Sequence, residues 1–219
     1  MPKAAANPPR VPTPIYRMVH MDCLETLLAR DAVHAPNHAP EDGLPYVGIH
    51  ATQTQIDRGE KRVPCGPGGI ILDYVGFYFG PHSPMLYRLH TGYNVSPVAQ
   101  KNIIYLVSSA QAVQRAGLGF VFYDGHSLAA FSDPFADLAK LTRVDWDAVG
   151  LKVWKDTAND PDRQRRKQAE FLVHGMMPWQ LVKKIGAYDA AAKARIRSIL
   201  ADYPDRHHPV VLAKKSWYY

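Results

Sequence analysis

Apolar residues along this chain gather in short blocks, some alternating with polar residues and some continuous, each about four to eight residues long, which is the pattern of strands. Residues 15–19 open the series as a short strand. Asp22 is placed to cap a helix over 23–30, in which Leu24, Leu27 and Leu28 recur on one face. A short strand over 46–49 and a polar helix or irregular turn over 54–61 follow. Residues 64–69 read Pro-Cys-Gly-Pro-Gly-Gly, which permits only a tight loop. Residues 71–79 are rich in β-branched and aromatic side chains and read as a strand that Gly80 and Pro81 terminate. Beyond these, strands are expected over 103–108, 120–124 and 209–212, and helices over 110–116, 147–154 and 190–200. The predicted fold is α+β: a single domain with a central mixed sheet, flanking helices and long loops.

A length of 219 residues with 47% hydrophobic and 21% charged residues suits one domain with a real core. Residues 1–14 carry five prolines and little that could pack, so they are expected to be a flexible lead before a domain over 15–219. The longest apolar runs are strand-sized, far short of the roughly 18 residues of a membrane span. The first residues lack the apolar block of a secretory signal, so no membrane partner and a cytoplasmic location are expected. Two cysteines set no disulfide framework, and ten histidines show no metal-ligand spacing, so no metal is expected. A net charge of +6 favours a polyanionic partner without naming one.

Chemistry concentrates where four cations, Arg163, Arg165, Arg166 and Lys167, run into Gln168-Ala169-Glu170-Phe171-Leu172-Val173. If the chain is extended from Gln168, Gln168 and Glu170 share a face, while Phe171 and Val173 pack the other way. Charge and spacing alone favour a solvated basic helix end leading into an ordinary strand, since charge runs usually lie at the surface.

A Gln-x-Glu pair at the mouth of a strand is the pattern of ADP-ribosyltransferase loops, and this segment resembles the DarT toxin family. Other blocks agree in the family's order: Ile15-Tyr16-Arg17-Met18-Val19-His20-Met21-Asp22-Cys23-Leu24, then Pro67-Gly68-Gly69, Asp73-Tyr74-Val75, Phe77-Tyr78-Phe79, Ser83-Pro84-Met85-Leu86-Tyr87, Phe122-Tyr123-Asp124-Gly125-His126, Val144-Asp145-Trp146 and Met177-Pro178-Trp179. The resemblance covers about residues 15–190.

The resemblance implies an enzyme that takes NAD⁺ as co-substrate and modifies bases of single-stranded DNA, on thymidine rather than guanosine. It also implies a macrodomain antitoxin, DarG-like, as partner. Glu170 is then the catalytic carboxylate and Gln168 positions the incoming base. Arg58 assists removal of the acceptor's proton, with Arg62 the second choice. Tyr16, Arg17, His20, Asp22, Tyr74, Tyr78 and Arg62 are expected around the dinucleotide, and Arg163, Arg165, Arg166 and Lys167 on DNA phosphates. Met85 reads as packing, and His126 after Asp124-Gly125 as a loop residue only. Two other readings compete: a different NAD-consuming enzyme (a glycohydrolase, 2′-phosphotransferase or RNA-directed transferase), and a non-catalytic nucleic-acid-binding module, which leaves the Gln-x-Glu pair unexplained.

Overall fold

The structure is a computed structural model that describes residues 8–219. Among these, ten strands are formed: β1 (Pro14–His20), β2 (Ala32–His34), β3 (Tyr74–Tyr78), β4 (Ile103–Ser109), β5 (Phe120–Tyr123), β6 (Pro134–Phe135), β7 (Glu170–His174), β8 (Met176–Pro178), β9 (Lys184–Ala187) and β10 (Val210–Ala213). Seven helices accompany them: α1 (Leu24–Arg30), α2 (Thr52–Glu60), α3 (Pro84–Thr91), α4 (Ala110–Arg115), α5 (Trp146–Gly150), α6 (Arg163–Lys167) and α7 (Ala190–Ala201). Part of the expected N-terminal lead, residues 1–7, lies outside the described residues. The packed chain begins before residue 15: Thr13 is wholly buried, and its N–H donates to Gln111 Oε1 at 2.7 Å.

Eight strands make one sheet in the order β10-β9-β4-β1-β3-β7-β5-β6, and β2 pairs with β8 in a second, small sheet. Only β9 and β10 run parallel within the large sheet, so it is mixed, as the pattern implied. The central strand β4 shows no alternation because both of its faces are covered. Ile104 and Leu106 join a core with α1, α4 and α7. Ile103, Tyr105 and Val107 join a second core with α3 and Tyr218. Helix ends follow their sequence signals: Ser83 accepts the Leu86 N–H at the start of α3, Pro84 occupies the first turn, and Gly92 ends it at φ 75°.

Three elements differ from the sequence reading. β3 starts at Tyr74, because the Asp73 carboxylate accepts the Ile70 N–H at 2.8 Å and folds Ile71–Asp73 into a 3-10 turn. Residues 46–49 are not a strand; they are tied to α1, where the Val47 N–H reaches Cys23 Sγ at 3.3 Å and Thr26 Oγ1 donates to Pro45 O at 2.7 Å. The helix expected over 147–154 is displaced to Trp146–Gly150, since Asp145 caps it by accepting from Ala148 N. No helix among the described residues is long and apolar enough to cross a membrane.

One feature of the sheet sets the position of the functional site. β1 pairs with β4 along its whole length, but with β3 only at Tyr16↔Tyr78. Past that point β1 and β3 diverge, and the opening is bridged by Arg17 Nη1 donating to Gly76 O at 2.9 Å.

Candidate active site

Glu170 is the first residue of β7. Its Cα neighbours across the sheet are Tyr78 on one side and Tyr123 on the other, and Tyr78 in turn faces Tyr16. Directly opposed residues share a face, so these four stand in a row. Phe171 and Val173 point to the opposite face and are fully buried in the main core. The Glu170 carboxylate is 1% exposed. A charge so withdrawn from water requires compensation. Arg58 supplies it: Nη2 donates to Oε1 at 3.0 Å and to Oε2 at 2.8 Å. Ser127 Oγ donates to Oε2 at 3.0 Å, and His126 Nε2 stands 3.9 Å from Oε1. Arg58 reaches the carboxylate from α2 by passing Gly76 of β3. A Cβ at Gly76 would stand 3.4 Å from Arg58 Nη1, at the edge of ordinary van der Waals contact.

A cavity of about 350 Å³ lies along the split between β1 and β3. Arg17, Arg58, Tyr74, Tyr78, Gln168 and Glu170 line it, and the covering segment is residues 34–58. That cover is latched by Arg30, which forms a bidentate pair with Asp42 at 2.8 and 2.6 Å, and by Asn37 donating to Asp73 at 2.8 Å. The N–H at Arg17 Nε, the N–H at Arg58 Nε and the Nδ1 atom of His34 are buried without hydrogen-bond partners. Unsatisfied buried groups are rare in folded proteins, and here they line a hollow whose occupant can satisfy them. Burial, with Glu170 adding to it, pushes the Tyr78 phenol well above its usual range, and burial lifts Tyr74 to about 12. Burial lowers the imidazole of His126, and of His50 where Arg17 and Arg58 add to the effect, so both favour the neutral form.

Not every expected residue reaches this cavity. Tyr16 packs edge-on against Trp217 and Tyr105 at ring separations of 5.3 and 6.3 Å. His20 turns its Nδ1 to the Asp22 N–H, and Asp22 pairs with Arg195 at 2.7 Å. Asp22 therefore serves a contact with α7; His20 caps the 3-10 turn Met21–Cys23 that leads into α1, and α1 itself has no side-chain cap. Arg62 is exposed, bridging to Ile70, while Arg58 sits on the carboxylate. Gln168 lines the cavity by a different route from the one its spacing suggested. It is not extended but ends α6 at φ −93°, ψ 22°, with its amide donating to Gln164 O at 3.2 Å.

The basic run carries its own counter-ions: Arg163, Arg165 and Arg166 form an ion-pair lattice, and Lys167 is bound to main-chain carbonyls. Arg163 pairs with Asp160 at 3.1 Å; Arg165 bonds Asp162 and Asp124 at 2.7 and 3.0 Å. Arg166 is buried among Asp145, Asp160 and Asp162. Lys167 is 5% exposed and donates to Val149 O and Pro81 O at 2.6 and 3.2 Å. The acidic partners are scattered from residue 124 to residue 162, and only folding brings them to the cations. Ser127 and His126 were missed for a related reason: a lone serine and a loop histidine carry no pattern until the chain sets them against Glu170.

A sheet split between two strands, with a buried carboxylate and arginine at the mouth of the split and unmet donors along it, suits the NAD-consuming ADP-ribosyltransferase that the Gln-x-Glu resemblance implied. The comparisons with known proteins narrow the class. The family described as "ssDNA thymidine ADP-ribosyltransferase, DarT" matches residues 16–219, and the chain belongs to that family. A DNA ADP-ribosyl transferase of Thermus sp. (strain 2.9) is 39% identical over 208 residues, covering 95% of this chain and 97% of the relative. The solved structure of Thermus sp. 2.9 DarT in complex with ADP-ribosylated ssDNA superposes with a TM-score of 0.92 at 37% identity, covering 98% of this chain and all of that one. The same protein in complex with NAD⁺ gives 0.86, covering 97% of this chain and 100% of that one.

Proposed function

We propose that this chain transfers ADP-ribose from NAD⁺ to thymidine in single-stranded DNA, with Glu170 as catalytic carboxylate and Arg58 as its partner. The observation that carries the reading is the buried Glu170–Arg58 pair at the mouth of the β1–β3 split. The bond between nicotinamide and C1′ of the ribose breaks with its electron pair leaving on nicotinamide. The ribose then acquires oxocarbenium character, as in glycoside hydrolysis. A carboxylate held at the ribose 2′-hydroxyl stabilises that charge more in the transition state than in the ground state. Arg17, across the split, is placed for the diphosphate, and Tyr74 and Tyr78 for the nicotinamide and its ribose.

C1′ next forms a bond to the thymine ring nitrogen N3, whose proton leaves. Burial pulls the Arg58 guanidinium down, but the adjacent Glu170 more than offsets this and raises it above its already high range. Arg58 is thus a fixed cation that stabilises the base as its proton departs, and does not itself take the proton. His126, held neutral by burial, is a group at the site able to accept it. The sign is testable: the folded-state value of His126 lies below the ordinary 6.5, so the imidazole stays neutral as pH falls through 6.5. The acid limb of the transfer rate is expected below pH 6.5, measured by oligonucleotide modification across pH 5–8. A rate halved at or above 6.5 contradicts the assignment.

A single strand is the cheaper substrate, because a ring nitrogen used in base pairing must be unstacked and unpaired first. Mass spectrometry after incubation with NAD⁺ should show one ADP-ribose on a T-containing oligonucleotide and none on a matched strand without T. Equal modification of both overturns the base assignment; nicotinamide release without DNA at the same rate overturns the transferase reading in favour of hydrolysis. The same reading assigns the chain to the cytoplasm, where DNA is the substrate, as the toxin of a pair. Its partner is a DarG-like macrodomain antitoxin that removes the adduct, supported by the motifs shared with the DarT toxins.

A further inference from the structure

We propose that Ser127 is a positioning residue for the catalytic carboxylate: its hydroxyl holds Oε2 of Glu170, so that Oε1 is the oxygen presented to the ribose of NAD⁺. The proposal rests on the reading of Glu170 as the catalytic group. Ser127 is 0% exposed and its Oγ lies 3.0 Å from Oε2. An ionised carboxylate only accepts hydrogen bonds, so the hydroxyl is the donor. The terminal torsion of a glutamate is broad and roughly two-fold, so the side chain by itself does not choose which oxygen faces the cavity. Arg58 does not choose either, because one nitrogen, Nη2, contacts both oxygens at nearly equal distances, 3.0 and 2.8 Å. Ser127 breaks the symmetry. Oε2 is held by two donors, while Oε1 keeps one and faces His126 at 3.9 Å.

The hydroxyl is fixed in advance by its loop. The His126 N–H donates to Arg165 O at 3.0 Å, and the Arg165 guanidinium ties both ends of the loop by donating to Asp124 Oδ1 and Ser132 Oγ at 3.0 and 3.1 Å. Gly125 leaves room for that guanidinium: a Cβ there would collide with Arg165 and stand 2.8 Å from Ser132 Oγ. Arg165, one of the cations expected to hold DNA, therefore braces the segment that carries Ser127.

The test is steady-state transfer from NAD⁺ to a T-containing oligonucleotide by Ser127→Ala, Ser127→Thr and Ser127→Cys, with thermal midpoints and Glu170→Gln alongside. Ser127→Ala should lower kcat by about 10- to 100-fold, less than the roughly 100- to 1000-fold lost on removing a donor that touches the reacting atoms, because Ser127 acts through Glu170. KM for NAD⁺ and the thermal midpoint should stay near those of the parent. Ser127→Thr, which keeps the hydroxyl, should recover most of kcat, and Ser127→Cys, a weak donor of similar size, should fall between. A parental kcat in Ser127→Ala or Ser127→Cys overturns the proposal, as does a Ser127→Thr enzyme as slow as Ser127→Ala. If Ser127→Ala does not fold, the Thr and Cys variants decide by the same comparison. Full activity in Glu170→Gln instead overturns the underlying reading, independently of Ser127.

Discussion

Glu170→Gln is expected to lower ADP-ribose transfer by about a thousandfold, a loss of about 4 kcal/mol of transition-state stabilisation, while NAD⁺ still binds. Glutamine keeps the shape of the side chain and an oxygen able to accept from Arg58 and Ser127, so the pocket walls stay in place. What it loses is the negative charge that opposes the cation developing on the ribose. Because the side chain is 2% exposed, water does not screen that charge, and its removal is felt at nearly full strength. Single-turnover modification of a T-containing oligonucleotide gives the rate, and calorimetric titration with NAD⁺ gives the binding. Transfer within tenfold of the parent rate would remove Glu170 from the chemistry.

The second large effect concerns stability. Arg166→Met is expected to cost about 2–4 kcal/mol, toward the lower part of the range for breaking a buried charge network. Arg166 is 8% exposed and lies against the carboxylates of Asp145, Asp160 and Asp162, with its Nε donating also to Asp162 O at 3.2 Å. Removing the cation leaves Asp145, which caps α5, without its charge partner in a half-buried site. Asp160 and Asp162 are more open to water, which moderates the loss. For a chain of this size the thermal midpoint should drop by roughly 10 °C. A scanning fluorimetry shift of under 2 °C would mean the lattice is only a solvated surface cluster. Salt separates the cases as well, since a buried network is screened far less than an exposed one.

The two effects divide the segment at 163–170 in a way its sequence does not. Four cations in a row followed by Gln and Glu invite a single reading, a charged edge delivering phosphates to a catalytic pair. In the fold, three of the four cations are tied to aspartates and the fourth to main-chain carbonyls, and they act as a scaffold beneath the carboxylate. Sequence shows the charge of each residue but not its counter-ions when these stand as far away as Asp124 and Asp145.

Local pattern was sufficient where the cause is local. Continuous apolar runs gave β4 and β5, and the pattern over 190–200 gave α7. The alternation from Glu170 onward placed Phe171 and Val173 in the core and Glu170 on the other face, because strand side chains alternate whatever surrounds them. Glu170, with Arg58 ahead of Arg62 as its arginine, was singled out through motifs whose order along the chain matched a family. Residues 46–49 were misread because the partners of this stretch are not another strand but Cys23, just before α1, and Thr26 within it.

By itself, then, the sequence determined the α+β class, the core strands and the family, and it singled out Glu170 as the candidate acid, since each depends on neighbours in the chain or on ordered motifs. Tertiary structure alone decided that β1 and β3 part after one pair to open the cavity, that Arg58 and not Arg62 meets Glu170, and that Ser127 and His126 attend it. The physical reason is that a buried charge selects its partners by distance in space, and residues 58, 127 and 170 acquire that distance only when the sheet forms.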